Sequence, residues 1–346
     1  MPSARTSTLS RRGLLAAGGA LGLGAVLTAC GGDDKKGEKG GADASGSASK
    51  GWSFKDDRGT DVTAKSTPKN IVAFVGTAAA LFDFGVEVKG VFGPTKLADG
   101  KADVQAGSMD VSKLEILGNV WGEFNVEKYA ALRPELLVTN MWVKDELWYV
   151  PAESKDKILK VGAPSVALWA GGDTTIPNAI ARHAELAKSL GADLNAKKVT
   201  DAKARFEAAA ERLRKAAKAK PGLKVLIGSG SADLFYVSVP KTSADTRYFQ
   251  ELGLTFVEPK ANAAGFFEEL SWENAGKYQA DIIMLDNRTG TLQPKDLAAK
   301  PTWAKMPAVK AGQVIPRVTE PIFSYDKCAP VLEDLAKAVE NAKKLS

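Results

Sequence analysis

The chain has 346 residues, 45% of them hydrophobic, and a formal net charge of +6, enough polypeptide for two domains of ordinary size. Three of its 47 basic residues and none of its 41 acidic ones fall before position 30, so the remainder carries about +3; with no basic block interleaved with aromatics, nothing supports a nucleic-acid partner. A single histidine (His183) and two cysteines (Cys30 and Cys328) argue against a His/Cys transition-metal site and against Ser-His-Asp or Cys-His catalysis.

Arg5, Arg11 and Arg12 precede an apolar or small run from Gly13 to Ala29, which ends in Leu27-Thr28-Ala29-Cys30. A positive region, an apolar stretch and a small-residue cleavage site form an export leader. The segment resembles a bacterial lipoprotein signal, in which cleavage leaves Cys30 first and its thiol forms the lipid thioether. The run of about 17 residues is short for a spanning helix, which wants about 20. Ser10-Arg11-Arg12-Gly13-Leu14-Leu15 also resembles a twin-arginine signal, with Leu14 where Phe is favoured and Ala16 where Lys is common. Residues 1–29 are thus expected to be the leader. Residues 30–50, rich in Gly, Ser, Ala, Asp and Lys, read as a flexible tether to a lipid anchor. With Cys30 assigned, Cys328 is left alone, no intrachain disulfide is expected, and Cys328 reads as a small buried residue.

Trp52 and Phe54 open the folded part, with a hairpin expected around Asp57-Arg58-Gly59 and Val62 on the return strand. Strands are predicted at 71–75, 88–92, 136–138 and 165–168, alternating with helices at 78–84, 127–132 and 155–161. That order implies a parallel sheet covered on both faces. A helix over 176–190 follows, with His183 on its apolar face. Residues 195–220 contain no Pro or Gly and carry the narrow apolar stripe Val199, Phe206, Ala210 and Leu213, ended by Pro221-Gly222. This helix, nearly 40 Å long at about 1.5 Å per residue, reads as a rigid strut between two lobes. A second α/β series follows: strands at 224–228, 235–238, 256–257, 281–285 and 314–315, and helices at 246–252, 272–278 and 330–345. The expected organisation is an N-terminal α/β lobe (51–194), an interlobe helix (195–220) and a C-terminal α/β lobe (221–346).

Five segments in order carry a resemblance. They are Thr67-Pro68-Lys69-Asn70-Ile71-Val72, Asp83-Phe84-Gly85-Val86-Glu87-Val88-Lys89-Gly90-Val91, the stretch Asn125 to Val138 with Arg133-Pro134-Glu135 at its turn, Leu270-Ser271-Trp272-Glu273-Asn274 with Ala280-Asp281-Ile282-Ile283, and Pro301-Thr302-Trp303 with Ala308 to Val314. Together they resemble the iron-siderophore and cobalamin binding proteins of ABC importers, and more narrowly actinobacterial lipoproteins that bind ferrioxamine-type hydroxamates. The resemblance covers about residues 68–345, with Glu135 replacing the family's Asp. It implies two Rossmann-like lobes joined by one long rigid helix, with the ligand cleft between the lobes. It also implies ABC permease subunits with a cytoplasmic ATPase as partners. Glu127 and Glu273, one per lobe and each near a predicted helix start, match the family's permease-docking glutamates. Two carboxylates on separate lobes make a two-point electrostatic dock; the alternative is that each serves only its helix N-terminus.

The ligand is expected at the carboxyl ends of the strands. Aromatic residues crowd the predicted loops there: Trp121, Trp142, Trp148, Tyr149, Trp169, Phe235, Tyr236, Phe266, Phe267, Phe323 and Tyr325. Such rings would cover the aliphatic chains of a ferric hydroxamate. Arg288, Arg317 or Arg247 would meet its coordinated oxygens with forked hydrogen bonds. The iron arrives already chelated, so no protein metal ligand, catalytic residue or resident cofactor is expected, and the protein is expected to be a monomer that makes or breaks no bond. Cobalamin or haem on the same scaffold is the alternative. A hydrolase using Asp83 with Glu123 and a ligand-free surface lipoprotein are the competing classes.

Overall fold

The computed structural model describes residues 51–345. The expected leader, Cys30 and the tether at 30–50 lie outside the described residues. Strands β1 (Trp52–Lys55) and β2 (Asp61–Ala64) form the antiparallel hairpin. Its turn is tied to the first lobe: Asp57 Oδ2 accepts from the Trp169 amide (2.7 Å), and Oδ1 accepts from Arg182 Nε (2.7 Å).

The first lobe holds β3 (Ile71–Phe74), α1 (Val75–Asp83), β4 (Gly90–Phe92), β5 (Glu115–Gly118), α2 (Val126–Ala131), β6 (Leu136–Met141), α3 (Lys155–Lys160), β7 (Ser165–Trp169) and α4 (Ile176–Ser189). Its five strands are parallel in the order β5-β4-β3-β6-β7. The central strands β3 and β6 are buried at every position, as continuous apolar runs in a sheet covered on both faces should be. β5 was not apparent in the sequence because only one of its four residues, Leu117, is buried. His183 is buried on α4, between the Ala179 carbonyl (2.8 Å) and Asn140 Oδ1 (3.1 Å). Burial lowers its pKa to about 4, so it is neutral at pH 7.

The second lobe holds β8 (Lys224–Gly230), β9 (Leu234–Ser238), α6 (Ala244–Glu251), β10 (Thr255–Phe256), β11 (Phe267–Ser271), β12 (Ile282–Asp286), the short helices α7 (Pro294–Leu297), α8 (Pro301–Lys305) and α9 (Pro307–Lys310), and β13 (Val314–Arg317). Its sheet is mixed, in the order β11-β9-β8-β12-β13 with β10 beside β8. β9 runs antiparallel to both β8 and β11, so this lobe is a second α/β unit like the first but with a mixed sheet. Pro316 is tolerated because β13 is at the sheet edge. The helix expected over 272–278 is only the 3-10 turn Trp272–Asn274. Gly276 follows closely, and a glycine there disfavours helical continuation.

The two lobes are joined by α5 (Lys197–Ala219), about 34 Å long at 1.5 Å per residue. It does not stand alone. The last helix, α10 (Tyr325–Asn341), runs against it, and two forked ion pairs set the register. Arg205 Nε and Nη2 donate to Glu333 (2.7 and 2.6 Å), and seven residues on, Arg212 makes the same pair with Glu340 (2.8 and 2.6 Å). The hydrogen bonds from the arginines hold both glutamates below the usual carboxylate range. These exposed pairs add little energy each. The buried faces, with Phe206, Leu213, Leu332 and Val339, contribute more. Ser324 caps α10 by accepting from the Lys327 amide, and its hydroxyl donates to the buried Asp83 at the end of α1 (2.6 Å), which fastens α10 to the first lobe.

Candidate functional site

A cavity of about 650 Å³ opens between the lobes. Its first-lobe wall is built by segments that leave the carboxyl ends of β4 and β5, including Pro94, Asn119, Val120 and Trp121, with Gln105 and Tyr149 beside them; its second-lobe wall is Arg288 to Thr291, just beyond β12. This is the crevice position at which α/β sheets bind ligands. Asn119 shapes the rim: its Oδ1 accepts from the Thr95 and Lys96 amides (3.0 and 2.8 Å), and its Nδ2 donates to the Lys96 carbonyl (2.7 Å).

Aromatic rings form the apolar side. Trp121 is 64% exposed and packs edge-on against Trp148 and Tyr149, with ring centroids 4.9 Å away in each case. Trp142 lies behind Trp148 at 4.8 Å, and Tyr149 stacks on Phe74 at 5.2 Å. A second cavity of about 490 Å³ lies on the other side of this wall: Trp121 and Tyr149 line both cavities, and Trp148 lines the second. Tyr149 sits at φ 58°, in the left-handed region unusual for an aromatic residue. Such strain persists where neighbouring contacts impose it. Burial, then the charge of Glu320, pushes its phenol well above the ordinary value, so it remains a neutral donor.

Arg288 supplies the polar side. Its Nε donates to both Asp286 oxygens (3.2 and 3.1 Å), Nη2 to Asp286 Oδ2 (2.7 Å), and Nη1 to Glu320 Oε1 (2.9 Å). A guanidinium has five N–H groups, so one on each terminal nitrogen is left for a ligand oxygen. Burial pushes Asp286 upward, but hydrogen bonds and charge from Arg288 outweigh it and keep the carboxyl below its ordinary value. Glu320 is also buried, and there desolvation holds the carboxyl above the ordinary value despite Arg288. Arg288 itself is held charged by the pair. Glu320, which sequence reasoning missed, has no local pattern to mark it, since its partners are distant in the chain.

Other expected site residues are placed elsewhere. Arg317 is 3% exposed and donates to both oxygens of Asp245 on α6 (2.9 and 3.0 Å), so it ties β13 to α6 and does not face the cleft. Phe235 (0% exposed) packs on Trp272 and Trp303, and Phe323 (1%) on His183; both are core residues. Tyr325 begins α10 and packs between Phe84 and Phe206, at the helix junction. Trp169 is half-buried and donates its indole N–H to Asp173. Tyr236 on β9, Phe267 on β11 and Phe266 just before it form a separate half-buried group. Arg247 joins the lobes, with Nη1 donating to the Gly172 carbonyl (2.9 Å). A Cβ on Gly172 would lie 1.9 Å from the Lys241 carbonyl oxygen, so this close crossing requires glycine. Asp83 and Glu123 are not a catalytic pair: the first is buried against Ser324, and the second accepts from the Asn119 amide (3.0 Å). Glu127, in the first turn of α2, and Glu273, in the 3-10 turn after β11, are both exposed on their separate lobes. Among the described residues no group of three His, Cys, Asp or Glu could hold a metal ion.

Residues 98–316 match the family model described as periplasmic binding protein. The chain belongs to that family. Among solved structures it is similar to DesE, a ferric-siderophore receptor protein from Streptomyces coelicolor, at 59% identity over 85% of this chain and 100% of that one, with a TM-score of 0.82. It shares its fold with the petrobactin-binding protein YclQ from Bacillus subtilis (18% identity, 84% and 99% coverage, TM-score 0.65). The iron uptake substrate-binding protein PiuA from Streptococcus pneumoniae has the same fold (20% identity, 83% and 98% coverage, TM-score 0.62). No curated protein matches the chain. Two α/β lobes joined by one long helix are therefore the family architecture.

Proposed function

We propose that this protein is an extracytoplasmic receptor that captures a ferric siderophore of the hydroxamate type and delivers it to an ABC permease. The single observation that carries the reading is a cleft between lobes with an aromatic wall opposite one partly satisfied arginine, in a chain 59% identical to a ferric-siderophore receptor. The rings suit the aliphatic linkers of the chelator. The two remaining Arg288 N–H groups suit coordinated oxygens that carry partial negative charge. Asp286, Glu320 and Asp103 surround that single arginine, which disfavours a multiply anionic complex such as a ferric tris-catecholate.

The iron is cargo held by its chelator, and the protein acts as a binder with no bond chemistry and no resident cofactor. Glu127 and Glu273 are the proposed contacts to the two permease subunits. Lipidation at Cys30, export by the twin-arginine route and a monomeric state complete the proposal. The paired helices α5 and α10, with the Arg247–Gly172 crossing, favour a cleft that closes little on binding.

Tryptophan fluorescence of the soluble domain tests the reading, because Trp121 lines the cleft, Trp148 packs against it, and ferric iron quenches. Saturable quenching is expected with ferrioxamine, and none at equal concentration with a ferric tris-catecholate, haem or cobalamin. Saturation by haem or cobalamin alone would replace the ligand assignment.

A further inference from the structure

Glu320 lies three residues beyond β13 in the second lobe, yet its partners come from both lobes. It is 5% exposed. Oε2 accepts from Gln105 Nε2 (3.1 Å) and Trp148 Nε1 (3.2 Å), both in the first lobe, while Oε1 accepts from Arg288 Nη1 (2.9 Å) in the second. A parallel link runs beside it, from Thr289 Oγ1 to Asp103 Oδ2 (2.7 Å). Asp103 in turn caps the 3-10 turn Val104–Ala106 that carries Gln105. Both faces of the cleft, the guanidinium and the aromatic wall, thus meet on one buried carboxylate.

We propose that Glu320 is a positioning residue for ligand capture: it holds the Arg288 guanidinium and the Trp148 indole in binding geometry across the lobe boundary before a ligand arrives. The inference rests on the ferric-siderophore reading for its ligand. Both carboxylate oxygens are already engaged, so Glu320 acts through its neighbours. A carboxylate can accept from three donors at once because it has acceptor sites on both oxygens. A glutamine there would keep the volume but turn an N–H₂ toward donors, leaving one of them buried without a partner. The charged and titratable groups facing Glu320 are Arg288 and Asp286 from the end of β12, Asp103 from the 3-10 turn, and Tyr149 from the loop after β6. Of these only the Arg288 side chain is cationic, so protonating Glu320 removes its counter-charge as well as an acceptor.

The test is E320Q in the soluble domain, titrated with ferrioxamine at pH 7 and pH 5, with the ligand-free indole N–H resonances recorded by NMR. Affinity is expected to fall about tenfold at pH 7, the size of a lost charge-assisted hydrogen bond. Wild-type affinity is expected to weaken toward pH 5, because burial holds Glu320 above its ordinary value and acid removes its charge; E320Q should be flat over that range. In a W148F background, E320Q should cost clearly less than in wild type, because part of its effect passes through Trp148. Without ligand, the Trp148 indole resonance should shift and exchange faster in E320Q. Equal affinity and an unchanged pH profile in E320Q would overturn the proposal. If wild type binds no ferric hydroxamate, the ligand reading fails; an unchanged, protected Trp148 indole in E320Q would then overturn the positioning role separately.

Discussion

Replacing Arg288 with alanine is expected to destabilise the protein by about 3 kcal/mol at pH 7, because it strands two buried carboxylates without their cation. It is also expected to weaken ferric hydroxamate binding roughly a hundredfold, through loss of charged donors to the ligand. The two effects separate by pH. In wild type the depressed Asp286 pKa contributes stability above the unfolded carboxylate range, and that contribution is lost as pH falls through the folded value. In the variant, Asp286 and Glu320 lose the group that opposed burial, so both carboxyls are raised. A raised carboxyl stabilises the fold below its unfolded pKa and costs stability as pH rises. The unfolding curves of wild type and variant should therefore converge on going from pH 7 to pH 4, as followed by urea denaturation. A stability gap that stays constant over that range would show that Arg288 does not neutralise these carboxylates.

Arg317 provides the contrast. Arg317→Ala is expected to cost about 4 kcal/mol, because it leaves the buried Asp245 carboxyl without its cationic partner, beside a cavity. Binding by the molecules that remain folded should change by no more than about twofold, since Arg317 meets Asp245 and not the cleft. The double variant Arg317→Met with Asp245→Leu should recover most of the stability, as buried ion pairs replaced by apolar groups of similar volume often do. Loss of ligand affinity in this double variant, with the fold intact, would return Arg317 to the binding surface.

These two arginines also mark how far the sequence could be read. Both follow an apolar strand near the crevice, and nothing in their local pattern separates them. Arg317 is the last residue of β13 and finds α6, whereas Arg288 stands two residues past β12 and reaches the lobe boundary. The same ambiguity holds for the rings. Phe235 and Tyr236 are neighbours on β9, so they point to opposite faces, and strand parity alone does not say which face meets core. The elements themselves were legible because their signals are local: the apolar runs of β3 and β6, Pro221-Gly222 after α5, and the apolar stripe on α5. Trp148 and Tyr149 were legible as cleft candidates because their loop follows β6, whereas Trp121 was legible only as an aromatic residue in a predicted loop, β5 before it being hidden. Glu320 was not, because its role depends on contacts 172 and 215 residues away along the chain. β11 was missed because its Glu268 and Glu269 interrupt the apolar pattern, and pairing with β9 across the sheet supplies what the segment lacks.

The central claim is that the cleft between Arg288 and the Trp121–Trp148–Tyr149 wall holds the ferric complex. A crystal of the soluble domain grown with ferrioxamine, measured at the iron absorption edge, tests it most directly. The expected result is one anomalous iron peak inside the cavity bordered by Trp121, Tyr149 and Arg288, with chelator oxygens within hydrogen-bond distance of the Arg288 terminal nitrogens. An iron peak against Tyr236 and Phe267, or in the apolar groove between β13 and α10, would contradict the account.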